Sequence, residues 1–339
     1  MIPHNKPTLG AEEVRVAEKI IKSGWLAQGK EVESFESDFC SYLGLPEGHA
    51  VALSSGTAAL FLALWAFKAK NKRIAIPAYS CSSLRHAVAM IDGNEVLIDS
   101  LPGIPNINLN SYDYKSCEIG IVPHMFGIPT DLSIHKDSLI IEDCAQALGS
   151  YINNVPSGLQ GKIGVYSFYA TKLITSGGQG GMLVSKDKSL VDEIRDYRQF
   201  DCRKDNKERF NFQMTDLQAG IGRVQLKKLP DFLVKRKKIF EKYNSALPML
   251  CNNENSNIHS VYFRAIYKTD RPLEVIKELE KEKIKAILPI EEWELLGEQT
   301  LFPNAYRFTQ NTVSLPIYPL LEEKDVDSIL NVIEKFIDS

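Results

Sequence analysis

The sequence lacks the features that mark several large classes of protein. An excess of one charge is missing, since 40 lysines and arginines balance 43 aspartates and glutamates for a net charge of −3, which gives no electrostatic reason to expect nucleic-acid binding. The longest apolar run, Ala58–Phe67, is about half as long as a membrane-spanning helix. No C-x-x-C pair occurs among the six cysteines, which are Cys40, Cys81, Cys117, Cys144, Cys202 and Cys251. We therefore expect a cytoplasmic protein in a reduced compartment, with no metal ion and no membrane or nucleic-acid partner.

The sequence does contain a regular alternation of two patterns. A helix is predicted over Ala11–Ser23, with acidic residues in its first turn and Gly24 after its end. Apolar runs bounded by Gly, Pro, Asp and Ser follow, and such runs are typical of strands buried on both faces. The seven runs are Ala50–Leu53, Arg73–Ile76, Glu95–Ile98, Ile119–Val122, Leu139–Ile141, Val165–Phe168 and Met182–Val184. Together they predict an α/β domain with a mostly parallel sheet covered by helices.

The pattern changes after Pro230, and a chain of 339 residues has room for about two domains. The strand-like and helical stretches beyond it are Ser260–Tyr267, Leu273–Lys283 and Lys324–Ile337. These predict a smaller α+β domain, so we divide the chain into a large domain, 1–230, and a small C-terminal domain, 231–339. The basic run Lys235–Lys238 has no interleaved glycine or aromatic residue and is more typical of a solvated helix face than of a nucleic-acid patch.

Three segments contain residue types that do chemistry, and the first is Ser54–Leu60. It follows a predicted strand and opens an apolar helix. Serine and threonine before a helix are capping residues, and the free N–H groups of a helix start also bind anions. This segment alone is compatible with two interpretations, a plain helix cap and a phosphate site.

The second segment, Leu139–Ala147, places two acids, Glu142 and Asp143, at the carboxyl end of a buried strand. Ligands of open parallel sheets bind at that end, which makes Asp143 a candidate functional residue. Gln146 is three residues further on and would share its face if a helical turn begins there. The alternative is that Asp143 only caps a following helix.

The third segment, Ser167–Gly181, has Lys172 after an aromatic strand and four glycines within five positions near its end. A buried lysine with a depressed pKa is a Schiff-base nucleophile. The glycines do not follow the G-x-G-x-x-G spacing of a dinucleotide fingerprint, and the G-K-[S/T] end of a P-loop is missing.

Further motifs stand in one order along the chain. They are Gly24–Lys30, Phe35-Glu36, Ser55-Gly56-Thr57, Pro123–Pro129 with Asp131, Glu142–Gln146, Ser167–Lys172, Asn211–Ala219 and Ser314–Pro316. Each motif is weak by itself, but the ordered set covers nearly the whole chain. It resembles the DegT/DnrJ/EryC1/StrS family of nucleotide-sugar aminotransferases, which depend on pyridoxal 5'-phosphate (PLP) and have the fold type I of aspartate aminotransferase.

The resemblance implies a seven-stranded, mostly parallel sheet and a role for each matched residue. Lys172 would form the Schiff base with PLP, Asp143 would pair with the pyridinium nitrogen, and Gln146 would lie near the ring and its phenolic oxygen. The residues implied to hold the phosphate are Gly56, Thr57 and Ser167, with Asn211 reaching the phosphate of the neighbouring subunit. The implied assembly is a homodimer with shared active sites, and the implied substrates are L-glutamate as amino donor and a nucleotide-linked keto-deoxysugar as acceptor.

The sequence departs from the family pattern at Cys81, where many members have an aromatic residue stacked on the cofactor ring. A thiol there implies that stacking is lost or comes from elsewhere. We interpret His124 as a core residue rather than a catalytic one. Arg264 could bind a substrate carboxylate or phosphate, but an exposed arginine on an edge strand is the favoured interpretation.

Two other functions compete with an aminotransferase. Sugar dehydratases and deoxygenases of the same family lack the Schiff-base lysine, so Lys172 argues against them. A non-catalytic protein that binds PLP or a nucleotide sugar has no need for both a base such as Lys172 and an acid such as Asp143. The presence of both residues therefore argues against this function.

Overall fold

The computed structural model describes residues 1–135, 138–250 and 257–337. Cys251 lies outside these ranges, and the other five cysteines are free thiols. No helix in the described ranges combines the length and the apolar character needed to cross a membrane.

Ten α-helices form in the described part of the chain. They are α1 (Ala11–Ser23), α2 (Lys30–Leu43), α3 (Gly56–Ala66), α4 (Ser83–Met90), α5 (Tyr112–Lys115), α6 (Lys188–Arg198), α7 (Asp216–Ala246), α8 (Pro272–Lys281), α9 (Pro303–Gln310) and α10 (Glu323–Ile337). The predicted first helix has the observed bounds. It ends where predicted because Gly24 has a φ of 72°, a left-handed conformation that glycine adopts without strain.

Fourteen strands lie in the same ranges. They are β1 (Ala50–Leu53), β2 (Arg73–Pro77), β3 (Asn94–Ile98), β4 (Ser100–Leu101), β5 (Ile104–Ile107), β6 (Ile119–Pro123), β7 (Leu139–Asp143), β8 (Tyr151–Ile152), β9 (Val155–Pro156), β10 (Ile163–Ser167), β11 (Gly181–Val184), β12 (Ile258–His259), β13 (Ala265–Lys268) and β14 (Thr312–Leu315).

Seven of these strands form the main sheet, in the order β1-β11-β10-β7-β6-β2-β3. The four pairings from β10 to β3 are parallel. Strand β11 runs antiparallel to both of its neighbours, β1 and β10. Every predicted run overlaps one of the seven strands, so the predicted α/β fold with a mostly parallel seven-stranded sheet is confirmed.

Both faces of this sheet are buried, which explains why its strands have unbroken apolar sequences. In β1, Val51 and Leu53 pack in the cluster that contains α3, α4 and α6 residues. Ala50 and Ala52 pack on the opposite face, with α2 and α7, because successive side chains of a strand alternate in direction. The sheet is therefore a middle layer between two helical layers.

The C-terminal part packs around the antiparallel pair β13 and β14. Residues of α8, α10 and the end of α7 form one apolar cluster on it. The predicted strand over Ser260–Tyr267 is only partly found, since β13 begins at Ala265. Helix α7 continues through Pro230 without a break, so the division of the chain near residue 230 stays a prediction.

The basic run of α7 differs from the prediction at one position. Lys235–Lys238 was predicted to be a solvated face, but Arg236 is only 1% exposed. Its Nη1 donates hydrogen bonds to the carbonyl oxygens of Tyr262, Phe263 and Ile317 at 3.3, 3.2 and 3.2 Å. The prediction is wrong for Arg236 because the helical period turns this one residue of the run towards the interior.

Candidate active site

A cavity of about 250 Å³ opens at the carboxyl edge of the main sheet. The ends of β1, β2, β6, β7 and β10 all contribute to its walls, because parallel strands finish at the same edge. Seven of the eight predicted site residues line it: Gly56, Thr57, Cys81, Asp143, Gln146, Ser167 and Lys172. The structure thus brings together side chains that lie more than 100 positions apart in the sequence.

Lys172 lies in the loop between β10 and β11. Backbone hydrogen bonds from Phe168 N to Gly180 O (2.9 Å) and from Ala170 N to Gly178 O (3.0 Å) close the base of this loop. The lysine is half-buried, and its Nζ lies 5.4 Å from the centre of the Phe263 ring. Burial lowers the pKa of Lys172, while the negative charge of Asp143 opposes that shift. A lysine in these surroundings gives up its proton more easily than a solvated one, as a nucleophile or base requires.

Asp143 is buried at the end of β7, and its Oδ1 accepts a hydrogen bond from Ala145 N–H at 2.9 Å. The segment after it forms turns rather than a helix, so the carboxylate caps no helix. Burial raises the pKa of Asp143, and the Ala145 N–H, Lys172 and His124 oppose the rise. A buried carboxylate with one N–H donor is stabilised by a cation placed in the cavity.

Glu142, the neighbouring acid, is fully buried and points to the other side of the strand. Its two oxygens accept hydrogen bonds from Gly158 N–H (2.8 Å), Gln160 N–H (2.7 Å), Gly161 N–H (2.6 Å) and His124 Nε2–H (2.9 Å). With four donors on one carboxylate, Glu142 is a structural residue.

His124 lines the cavity, but its ring is fixed by hydrogen bonds to other groups of the protein. Its Nδ1 accepts a hydrogen bond from Thr130 N–H at 3.0 Å, which leaves the proton on Nε2, facing Glu142. Both ring nitrogens are therefore engaged within the protein, as expected of a core histidine.

Three possible metal ligands, His124, Glu142 and Cys144, lie within 4.8 Å of one another. The histidine nitrogens and the glutamate oxygens already take part in hydrogen bonds. Burial and the nearby carboxylates raise the pKa of Cys144 well above its usual value, so the thiol keeps its proton. This donor set does not suit a metal ion, which needs free lone pairs and a thiolate.

The start of α3 forms one end of the cavity. Ser55 caps the helix, since its Oγ accepts a hydrogen bond from Ala58 N–H at 3.1 Å. A Cβ on Gly56 would lie 3.0 Å from the Cβ of Ser167, so only glycine allows the helix start to approach β10 this closely. The helix cap is therefore confirmed, and the capped helix begins at the cavity. The phosphate site at its first N–H groups stays a prediction.

Two further predicted residues, Gln146 and Cys81, line the cavity. Gln146 Oε1 accepts a hydrogen bond from Phe126 N–H at 2.7 Å, which fixes the amide at the cavity wall. Cys81 is exposed and lines the cavity after β2. The thiol therefore stands where the resemblance implied a stacking aromatic side chain.

Asn211 does not line the cavity of its own chain and is exposed. Its neighbour Phe212 accepts a hydrogen bond from Ser54 N–H at 2.8 Å, which ties this segment to the residues before α3. The predicted contact of Asn211 with a neighbouring subunit stays a prediction.

Sequence reasoning missed Ser80 and Tyr169, which also line the cavity. Tyr169 is 45% exposed, and the Oγ of Ser80 donates to Pro77 O at 3.0 Å. Tyr169 lies inside Ser167–Gly181, the glycine-rich segment that the sequence analysis selected. Its place in that segment could have identified it as a residue of the cavity. Hydroxyl residues in loops are too common to have signalled Ser80.

The prediction for Arg264 is wrong. It precedes β13 instead of lying on an exposed edge. Its guanidinium is largely buried against Phe263, with Cζ 5.7 Å from the ring centre. Tertiary packing against the N-terminal segment and β14 covers a side chain that the local pattern could not place.

Comparisons with known proteins agree with the order of the motifs. The DegT/DnrJ/EryC1/StrS aminotransferase family model matches residues 7–334. The GDP-perosamine synthase of Vibrio cholerae is 28% identical over 376 residues, which cover 99% of this chain and 99% of that protein.

Solved structures share the fold. The aminotransferase TlmJ from Streptoalloteichus hindustanus superposes with a TM-score of 0.91 at 24% identity, covering 100% of this chain and 99% of that one. Spr1654 from Streptococcus pneumoniae, solved in a PLP-form, has a TM-score of 0.87 at 23% identity and covers 98% of this chain and 99% of its own. With the family model matching nearly the whole length, this chain belongs to the DegT/DnrJ/EryC1/StrS aminotransferase family.

Proposed function

We propose that the protein is a PLP-dependent aminotransferase that transfers the amino group of L-glutamate to a nucleotide-linked keto-deoxysugar by a ping-pong mechanism. The product would be an amino sugar for a surface polysaccharide or a glycosylated metabolite. The observation that carries the proposal is the pairing of Lys172 and Asp143 in one cavity beneath the start of α3.

The residues of the cavity fit PLP. The first N–H groups of α3, with the hydroxyls of Thr57 and Ser167, form a donor set for a phosphate, and the absence of a Cβ on Gly56 lets the start of α3 lie close to Ser167. Asp143 would hold the ring nitrogen, and a protonated nitrogen would relieve the cost of burying this carboxylate. The relative Spr1654, solved in a PLP-form, supports the same cofactor.

When bound, PLP supplies an electron sink for the electron pair left on the donor's α carbon. The chain's own residues would do the rest. The Nζ of Lys172 would hold the cofactor at rest, take the α proton after the donor arrives, and deliver a proton back during the transfer. Asp143 would keep the ring nitrogen protonated, and Gln146 would orient the ring from the side of its phenolic oxygen.

The acceptor class is supported by the relative named GDP-perosamine synthase. We infer the remaining parts of the proposal from the family pattern: a cytoplasmic homodimer with shared active sites, in which Asn211 reaches the neighbouring subunit's phosphate. The division into a PLP-binding domain, 1–230, and a C-terminal domain, 231–339, belongs to the same proposal.

The test starts from protein purified with PLP. We expect a yellow protein whose spectrum changes to that of bound pyridoxamine phosphate when L-glutamate is added. Lys172→Ala should abolish the change, whereas Lys238→Ala, on an exposed face of α7, should leave it intact. A panel of GDP-, UDP- and dTDP-linked 3-keto and 4-keto deoxysugars would then identify the acceptor by reversal of the spectrum.

Each competing function predicts another outcome. A protein that binds PLP but shows no spectral change with any amino acid would be a non-catalytic binder. Loss of a sugar hydroxyl without gain of nitrogen, detected by mass spectrometry, would mean a dehydratase or deoxygenase. Either result would overturn the aminotransferase proposal.

A further inference from the structure

Glu36 belongs to one of the ordered motifs but does not line the active-site cavity. It is 8% exposed on α2 and pairs with Arg198, the last residue of α6, which is 4% exposed. The other residue of the motif, Phe35, holds α2 against the sheet, since its ring centre lies 5.2 Å from that of Phe168. A buried ion pair contributes little net stability, so its contacts with the backbone indicate what it does.

The ion pair holds the outer edge of β1. No strand of the described residues lies beyond β1 in the main sheet. The N–H group of Ala52 donates to Glu36 Oε1 at 2.9 Å, and the carbonyl oxygen of Ala52 accepts from Arg198 Nη1 at 2.8 Å. One acceptor and one donor for the same residue are what a neighbouring strand supplies. The two side chains therefore complete the sheet edge in place of a strand.

The rest of this edge is held as well. On the amino-terminal side of the ion pair, Arg195 Nη2 donates to the carbonyl oxygens of Gly48 and Ala50 at 3.0 and 2.9 Å. On the carboxyl-terminal side, the N–H group of Ser54 donates to the carbonyl oxygen of Phe212 at 2.8 Å. An edge strand with unpaired backbone groups is free to shift or to pair with another chain. These contacts therefore fix β1 along its outer side.

Strand β1 leads directly into the start of α3. Leu53 is its last residue, and the helix begins at Gly56 after the cap Ser55. Other strands approach this turn closely from the inside: a Cβ on Gly181 would lie 2.4 Å from the carbonyl oxygen of Ser55, and one on Gly56 would lie 3.0 Å from the Cβ of Ser167. The turn rests on β10 and β11, so the contacts at the outer edge of β1 hold it in that position.

We propose that Glu36 and Arg198 are positioning residues for the cofactor's phosphate, because they hold β1 so that the first N–H groups of α3 are aligned with it. The proposal rests on the proposed function. Hydrogen bonds weaken steeply as their angle departs from linear, so a small displacement of the turn would weaken several donors at once. The effect passes through the backbone from Ala52 to Gly56, and neither member of the pair touches the cofactor.

The test removes the pair without leaving a buried charge. In the double variant Glu36→Leu with Arg198→Leu, Ala52 loses both side-chain partners, and the two charges disappear together, which a folded protein tolerates better than the loss of one. Glu36→Gln is the conservative variant, because its amide oxygen still accepts from Ala52. The matched control is Glu31→Leu with Arg223→Leu, which removes a 2.6 Å ion pair between α2 and α7.

The first measurement compares the dissociation constants of PLP and of pyridoxal, which lacks the phosphate. We expect the double variant to bind PLP about 10- to 100-fold more weakly, the effect of lost hydrogen bonds to a charged group, and pyridoxal within about threefold of wild type. Glu36→Gln and the control should keep the wild-type ratio of the two constants. Arg198→Lys keeps the charge without the planar fork and should lower the ratio less, and it replaces the double variant if that protein does not fold.

The ratio separates positioning from a general structural role. A loss of overall structure would weaken PLP and pyridoxal alike, so equal weakening of both ligands would overturn the proposal. An unchanged ratio in the double variant would overturn it too.

Hydrogen exchange of the PLP-free protein tests the sheet edge directly. We expect residues 50–58 to exchange faster by about 10-fold or more in the double variant and at the wild-type rate in the control. An unchanged exchange rate would show that the pair does not hold β1. Faster exchange with an unchanged ratio and with larger assemblies in size-exclusion chromatography would mean that the pair only keeps β1 from pairing with other chains.

The proposed function and this inference fail in different ways. If the wild type binds PLP no more tightly than pyridoxal, the phosphate site of the proposed function is wrong, and the positioning role is wrong with it. If the wild type prefers PLP and the double variant keeps that preference, the positioning role alone is wrong.

Discussion

Glu142 and Asp143 are neighbours at the end of β7, and their surroundings are opposite. Glu142 receives four hydrogen bonds and has no exposed surface. Asp143 receives one, from Ala145 N–H, and faces the cavity. The difference shows that burial alone does not identify a functional acid, because a carboxylate whose lone pairs are all used has nothing to offer a ligand.

The pleat of the strand produces this contrast. Adjacent side chains leave β7 on opposite sides, so Glu142 faces the backbone N–H groups of the Gly158–Gly161 loop while Asp143 faces Lys172. Glu142 holds one wall of the site in place, and Asp143 supplies the charge inside it. Isosteric amide substitutions separate these two roles.

The largest effect is expected from Asp143→Asn, which removes the charge and keeps the shape. In the proposed function Asp143 keeps the ring nitrogen of PLP protonated, so we expect its loss to lower the rate of the glutamate half-reaction by about 100-fold or more, in the range of an acid–base defect. The measurement is stopped-flow absorbance of the PLP-loaded variant. A rate within about threefold of wild type would remove Asp143 from the chemistry.

The next effect is expected from Glu142→Gln. The amide NH₂ replaces an acceptor with a donor, so at least one buried N–H loses its partner, and we expect the free energy of unfolding to fall by about 2–4 kcal/mol. Urea denaturation of the PLP-free protein measures it, and Asp143→Asn is the matched control. Equal stability of the two variants would contradict the contrast between these acids.

The smallest effect concerns pH. Burial raises the pKa of Asp143, so the folded protein binds this proton more tightly than the unfolded chain, and the resulting stabilisation is lost as pH rises above the ordinary aspartate range. Asp143→Asn has no such dependence. In thermal unfolding of PLP-free protein between pH 5 and 8, the variant should become increasingly more stable than wild type as pH rises. A gap that narrows over this range would show that the shift has the opposite sign.

Much of the site could be predicted from sequence because its residues lie in short segments with strong local patterns. Lys172 is flanked by an aromatic strand and glycines, and Asp143 ends an apolar run. The seven strands and α1 were predicted for the same reason, since an apolar period or a terminating glycine is a local property. The family prediction is also confirmed, because it depended on the order of the motifs.

The residues that sequence reasoning misplaced depend on contacts between distant segments. Arg236 and Arg264 are buried because other parts of the chain cover them, and the carbonyl of Ile317 and the side chain of His4 are far from them in sequence. No local pattern distinguishes such an arginine from a solvated one. The same holds for Ser80, which reaches the cavity only because β2 lies two strands from β7 in the sheet.

The sequence by itself determined the layered α/β fold, the family and the polar residues at the ends of the strands. Hydrophobic periodicity and the order of motifs are properties of the linear sequence and need no tertiary contact to be recognised. Only the tertiary structure decided which of two adjacent acids is free for chemistry and that the guanidinium groups of Arg236 and Arg264 are largely buried. Those outcomes depend on how many donors and charges other segments bring within hydrogen-bonding reach, and that number is set by packing.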